Sequence, residues 1–377
     1  MQPTVKERFL ALDVFRGMTI CFMIIVNTSG NGDTTFAPLK HAHWNGFTPT
    51  DLVFPSFMFV VGNAMSFVMR RWSEISTGAV LGKILKRTLI IFLCGYLLYW
   101  FPFFEYNDQH HLILKPIAET RIFGVLQRIA LAYCFASLML YFLGTRATVV
   151  ITILILILYW PVMIYFGTGT DPLDVHTNAV LRLDTWLIGT NHLYTGEGFP
   201  FDPEGLLSTF PSIGNIVAGY LVGKYVQKSG KTFEGLSKLL MAGFILVVIA
   251  FFWNYVFSIN KKLWTSSFVL HTVGLDCMLL ACVMYYIDFM NKRKGTYFFE
   301  VFGRNPLFIY LVSELSVIIL YVVNVHGMSL FEWINQNLFT YPGEWAYVGA
   351  LLFAIVYMLY CWLVGYILDK RKIYVRV

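Results

Sequence analysis

Charge is scarce in this chain: Asp, Glu, Lys and Arg make up only 13% of its 377 residues, against roughly a quarter in an average soluble domain. A soluble fold of this size would lack the polar surface to stay dispersed, and a disordered or nucleic-acid-binding chain is excluded on the same ground. No CxxC pair occurs, and the six cysteines (Cys21, Cys94, Cys134, Cys277, Cys282, Cys361) all lie in apolar stretches. They read as small core hydrophobes, which argues against a disulfide framework or a zinc site. GxSxG, Walker A and GxGxxG patterns are missing, and no group of His, Asp, Glu or Cys has metal-ligand spacing. There is no internal repeat, heptad array or low-complexity tract, so a transporter built on an obvious inverted repeat gains no support. The first apolar segment carries Asp13 and Arg16 and runs into VNTSGNGD without a small-x-small cleavage site, so it is expected to be a retained helix.

What is present is apolar: 57% hydrophobic residues, 18% aromatic and a mean hydropathy of +0.64. The expectation is an all-α, polytopic integral membrane helix bundle, since a span needs about 20 mostly apolar residues. Ten segments qualify, at 10–28, 51–69, 84–103, 122–143, 147–166, 206–226, 237–257, 265–287, 299–323 and 345–368. They form one domain over 1–377, with the long polar loop at 167–205 expected to be a small lid. If both termini are cytoplasmic, 19 of the 28 Lys and Arg residues fall inside, Lys6, Arg8 and Arg376 among them. Only Lys40, Lys115, Arg121, Arg182, Lys261 and Lys262 then fall outside. This bias sets the orientation, and the net charge of +6 reports it.

Chemistry concentrates where polar residues meet these spans. LKHAHWNGFTPTDLVFP holds His41, His43, Trp44, Asn45 and Asp51 at a loop-to-helix junction. Imidazole is suited to proton transfer near neutral pH, yet alone His41 and His43 read as exposed loop residues. Asp51 tips the balance, because a carboxylate entering a membrane needs a partner. It either caps the second helix or orients an imidazole. Asp13 and Arg16 share one face of the first helix, as an ion pair or with Arg16 offering its planar donors to a phosphate. Asn27, at the far end of that helix, has an amide able to hold a carbonyl oxygen. Gln127 and Arg128 sit inside the fourth span, where Arg128 must face a cavity or a partner such as Asp13, Asp276 or Glu314. Arg304, Asn305 and Glu314 raise the same question around Pro306. His271 and Asp276 are about 140° apart around a helix and need not meet.

Seven fragments, LDVFRG, VNTSG, HAHWNGFTPTDLVFP, RIFGVLQR, NHLY, FDPEGLLSTFPSI and NKKLWTSSF, run in order through 12–268. With them the chain resembles the heparan-α-glucosaminide N-acetyltransferase-like transmembrane acyltransferases. The resemblance makes His41, first residue of H-A-x-W-N-G, the catalytic histidine, and denies His43 that role. It implies transfer of acetyl from cytoplasmic acetyl-CoA, a co-substrate, to an amino sugar or related glycan across the bilayer, with no metal. Lysosomal members act on the terminal glucosamine of heparan sulfate. They carry a lumenal domain and an extra helix before the LDVFRG element, and the short cytoplasmic loops here make a bacterial inner-membrane relative the expectation.

In the expected mechanism His41 takes the acceptor's proton, Asn27 steadies the oxyanion and Asp51 supports the histidine; a covalent acetyl-imidazole route stays open. Arg16, Gln127, Arg128, Arg304 and Asn305 are the candidates for holding CoA. Trp44, Asn45, His192, Asp202 and Glu204 are those for the acceptor. Partners are the glycan and the lipid bilayer, with no nucleic acid and with homodimerisation left open. The rival reading is a transporter for an amino sugar or N-acetylated sugar.

Overall fold

The structure, a computed structural model, describes residues 9–106 and 111–375. Lys6, Arg8 and Arg376, which contribute to the charge bias above, lie outside the described residues. α1 (Leu10–Asn27) runs from the end of the bundle holding the basic loops to the end holding His41, and α2 (Pro49–Val68) returns. Next come α3 (Thr77–Trp100), an antiparallel pair β1 (Phe104–Tyr106) and β2 (Leu112–Leu114), α4 (Val125–Phe142) and α5 (Gly144–Phe166). The 167–205 segment contains α6 (Ala179–Ile188) and a single 3₁₀ turn at Thr190–His192. α7 (Leu206–Ser229), α8 (Phe233–Trp253), α9 (Ser266–Met284), α10 (Thr296–Arg304) and α11 (Pro306–Val322) follow. A short hairpin of β3 (Asn324–Val325) and β4 (Met328–Ser329), then α12 (Leu330–Ile334) and α13 (Trp345–Lys370), complete the chain.

The chain is a polytopic helical membrane protein. All ten expected segments are helical, though they do not qualify equally as spans. Among the described residues eight helices are long and apolar enough to cross a membrane, and α10 with α11, bent by 83°, makes a ninth if the pair is counted as one span. The bend falls at Asn305, because Pro306 opens α11 and its ring cannot continue the α10 ladder. The exception is α3, which begins at Thr77 and carries Lys83, Lys86 and Arg87 in its first half.

α5 and α8 are mostly exposed, turning side chains such as Leu154, Ile157, Phe244 and Phe251 outward, as lipid-facing helices do. α1, α2, α4, α7 and α9 are the buried helices, and they position the polar site. α2 and α7 come into backbone contact because each lacks a side chain where they meet. A Cβ on Gly62 would lie 1.9 Å from the Ile216 carbonyl oxygen, and one on Gly219 would lie 1.9 Å from that of Phe59.

Candidate active site

The site starts with the entry into α2. Thr48 is the N-cap and Pro49 the first helical residue, so Asp51 falls at N3, where a carboxylate meets unpaired backbone N–H groups. Its Oδ2 accepts from Thr48 N at 3.0 Å and Ala42 N at 3.1 Å, while Oδ1 accepts from His41 Nδ1 at 2.7 Å. Both roles anticipated for Asp51 therefore hold together: one oxygen caps the helix and folds the preceding loop, and the other fixes the imidazole. At 1% exposure the carboxylate needs these donors. With Nδ1 donating to Asp51, the basic lone pair of His41 is on Nε2. The His41 ring is 43% exposed, on the rim of a cavity.

That cavity, of about 140 Å³, is lined by His41, Asn27, Thr50, Glu204 and Lys261 beside apolar Met23, Val26, Val53, Phe54 and Val125. Lys261 belongs to the turn between α8 and α9. Asn260 builds this turn by accepting from Leu263 N at 2.9 Å and donating to Asn45 Oδ1 at 3.1 Å. The result places Lys261 Nζ against the His41 ring, 3.0 Å from Nε2 and 3.1 Å from Nδ1. Burial lowers the pKa of this ammonium, against the opposing pull of Glu204 and Asp51.

Glu204 is held by Arg121, whose Nη2 donates to Glu204 Oε2 at 2.7 Å and to Asp202 Oδ1 at 2.6 Å while Nε reaches Asp202 Oδ2 at 2.8 Å. The guanidinium lies between the rings of Tyr99 and Tyr194, at 4.8 and 4.6 Å. Burial works to raise Glu204, but Arg121, Arg128 and Lys261 outweigh it and hold the carboxyl below its usual range. For Asp202 burial prevails over Arg121 and raises it. Asn27 lines the same cavity, close to the carboxyl of Glu314 on α11.

Three larger cavities are related to the first through shared or neighbouring lining residues. At the basic end, one of about 830 Å³ is lined by Asp13, Arg16, Asn63, Arg70, Arg71 and Gln227. One of about 270 Å³ shares Arg16 with it and adds Arg87, Phe57 and Leu126. Phe57 is one turn from Phe54, and Leu126 is adjacent to Val125, so this cavity and the His41 cavity are lined by neighbouring residues of α2 and α4. At the His41 end a polar cavity of about 470 Å³ shares Asn27 and is walled by Asn31, Tyr321, Glu332, Asn335 and Gln336. Arg16 pairs with Asp13 at 2.6 Å, as one of its two readings expects, and also lines both basic-end cavities.

The other expected residues have protein partners of their own. Arg128 is fully buried, donates to the Pro203 carbonyl at 2.9 Å and to Ser208, and lies over Trp264. None of the carboxylates considered for it is its partner; it ties α4 to the FDPEG turn. Gln127 is buried against Gly95 and, like Arg128, lines none of the four cavities. Arg304 pairs with Asp369 and Glu300, and Asn305 donates to the Ile373 carbonyl and accepts from Val375 N, so together they fasten the end of α13. Trp44 donates to the Leu173 carbonyl at 3.1 Å, and His192 Nδ1 lies 2.7 Å from the Thr120 carbonyl. Of the acceptor candidates, Glu204 lines the His41 cavity; Trp44, Asn45, His192 and Asp202 hold the loops around it. Asp276 is bonded by Ser56 across α2 and α9, and His271 packs on Phe47.

Reasoning from sequence missed Lys261 and Arg121. Both were visible as cations on the side where cations are few.

A profile for the catalytic region of heparan-alpha-glucosaminide N-acetyltransferase matches residues 8–250. The chain is 25% identical over 428 residues to the mouse protein of that name, covering 98% of this chain and 61% of the relative. To the human protein it is 27% identical over 362 residues, covering 81% and 53%. It thus spans between half and two thirds of the length of these curated relatives.

Proposed function

This chain belongs to the heparan-alpha-glucosaminide N-acetyltransferase catalytic family, and on that premise we propose that it carries an acetyl group from cytoplasmic acetyl-CoA to the amine of an amino sugar or related glycan across a bacterial inner membrane. The observation that carries the reading is the buried Asp51 carboxylate aligning His41 at a cavity that Asn27 shares with the polar chamber beyond.

The basic-end chamber suits the donor. Arg16, Arg70 and Arg71 offer cationic N–H groups to nucleotide phosphates. Arg16 and Asn27 are 11 residues apart on α1, about 16 Å along a helix, so an extended pantetheine arm in the narrower cavity brings its thioester toward His41. His41 Nε2 accepts the proton of the attacking amine, and Asp51 stabilises the imidazolium. Asn27, on the wall of that cavity, offers its amide N–H to the developing oxyanion. Amides and aromatic rings in the 470 Å³ chamber suit a sugar, and Glu332 on its rim suits an ammonium.

Orientation is tested by labelling. In a background without native cysteines, Lys40→Cys or His43→Cys in intact cells should react with an impermeant maleimide and Lys292→Cys should not. The reverse pattern inverts the topology. Function is tested in sealed vesicles with radiolabelled acetyl-CoA on the basic-loop side and glucosamine on the other. N-acetylglucosamine should appear opposite the donor, with one CoA released per acetyl transferred. Sugar crossing without CoA release would make the protein a transporter.

A further inference from the structure

Any amine that His41 deprotonates has to come within hydrogen-bond reach of Nε2. Lys261 Nζ lies against the imidazole, 3.0 Å from Nε2 and 3.1 Å from Nδ1, and because Nδ1 is committed to Asp51 the nitrogen open to Lys261 is Nε2. Lys261 is itself a primary amine, the functional group of an amino sugar, and it lines the same small cavity as His41 and Asn27. Among the described residues its hydrogen-bonding partner is His41, so an ammonium with three donors is poorly served. Its burial favours the neutral amine, which is the nucleophile.

We propose that Lys261 is a second acyl acceptor of this site, acetylated on its ε-nitrogen by acetyl-CoA when no sugar occupies the cavity. The inference rests on the reading of the donor given above. Starting from the ammonium, one proton passes to His41 Nε2 and on to solvent. The freed lone pair attacks the acetyl carbonyl carbon, the C–N bond forms and the C–S bond breaks. The second nitrogen proton passes through His41 to the CoA thiolate, so the products are N-acetyl-lysine, CoA thiol and one released proton. The amide is stable and uncharged, so the modification removes a cation from the site and fills the space in front of His41. A bound sugar amine displaces Lys261 from Nε2 and protects it. The same chemistry then leaves the enzyme active when acceptor is present and closes it when only donor is.

The test uses the purified full chain in detergent micelles with radiolabelled acetyl-CoA and no sugar, followed by peptide mapping. Label is expected on the peptide containing Lys261, growing in step with loss of transfer to glucosamine, and suppressed by glucosamine added first. In His41→Ala the labelling at Lys261 should slow by about a hundredfold or more. An enzyme that acetylates glucosamine but leaves Lys261 unlabelled overturns the proposal, as does labelling confined to exposed lysines such as Lys40 and Lys292. Equal labelling of Lys261 in His41→Ala reduces it to uncatalysed acetylation and also overturns it. If neither glucosamine nor protein takes label, the donor assignment fails and this inference falls with it.

Discussion

Replacing His41 by alanine is expected to lower acetyl transfer by about a hundredfold to ten-thousandfold, the usual contribution of a positioned general base. The loss should be one of chemistry rather than folding. His41 stands on a cavity rim with 43% of its side chain exposed, so truncation opens no closed void. Asp51 keeps the backbone donors of Thr48 and Ala42, so the start of α2 survives. Acetyl-CoA binding, which the proposed function places at the opposite end of the bundle, should stay near wild type. His43 is exposed and without a place in the cavity, so His43→Ala serves as the tolerant control. Turnover, thermal stability and donor binding measured together decide the matter: near-normal turnover in a folded His41→Ala protein removes His41 from the mechanism.

Asp51→Asn should cost about a hundredfold or more in turnover while leaving the fold in place, because the two oxygens of Asp51 have separate tasks. The asparagine carbonyl can take over the acceptor role of Oδ2 toward the Thr48 and Ala42 N–H groups, since Asn caps about as well as Asp. Its NH₂ group then faces His41 Nδ1, where a donor meets a donor. The ring relieves this by moving its hydrogen to Nε2, and the lone pair needed by the acceptor is lost from the cavity side. The sign of the pH effect follows from charge. Without the carboxylate the imidazolium is less favourable, so the acidic limb of the pH–rate profile moves to lower pH as maximal turnover falls. An Asp51→Asn enzyme with unchanged rate and pH profile would confine Asp51 to helix capping.

The helices were readable because burial in lipid demands long apolar runs, and the His41–Asp51 pair because a carboxylate at a membrane entry requires a local reason. Partners distant in sequence were not readable. Arg128 presents itself as a lone charge in a span, and its solution, the Pro203 carbonyl and Ser208, comes from a turn some eighty positions later. Arg304 and Asn305 look free to meet a ligand until the end of α13 folds back onto them. Lys261 and Arg121 stood among the few cations on the His41 side, where each needed an explanation beyond topology. Their neighbours supply it, a histidine ring for one and two carboxylates for the other.

The row of cavities has one further consequence, electrical rather than chemical. Cavities set in series from both ends, two sharing Arg16 and two sharing Asn27, are also the outline of an ion leak. The His41 cavity is the smallest of the four, and Met23, Val26, Val53, Phe54 and Val125 line it with apolar side chains. Such a constriction sheds water and raises the barrier to a bare charge, as hydrophobic gates do in channels. In the proposed transfer those five residues would insulate the membrane while a neutral acetyl group passes, which would account for a site of His, Glu and Lys being ringed by side chains with no chemistry to perform.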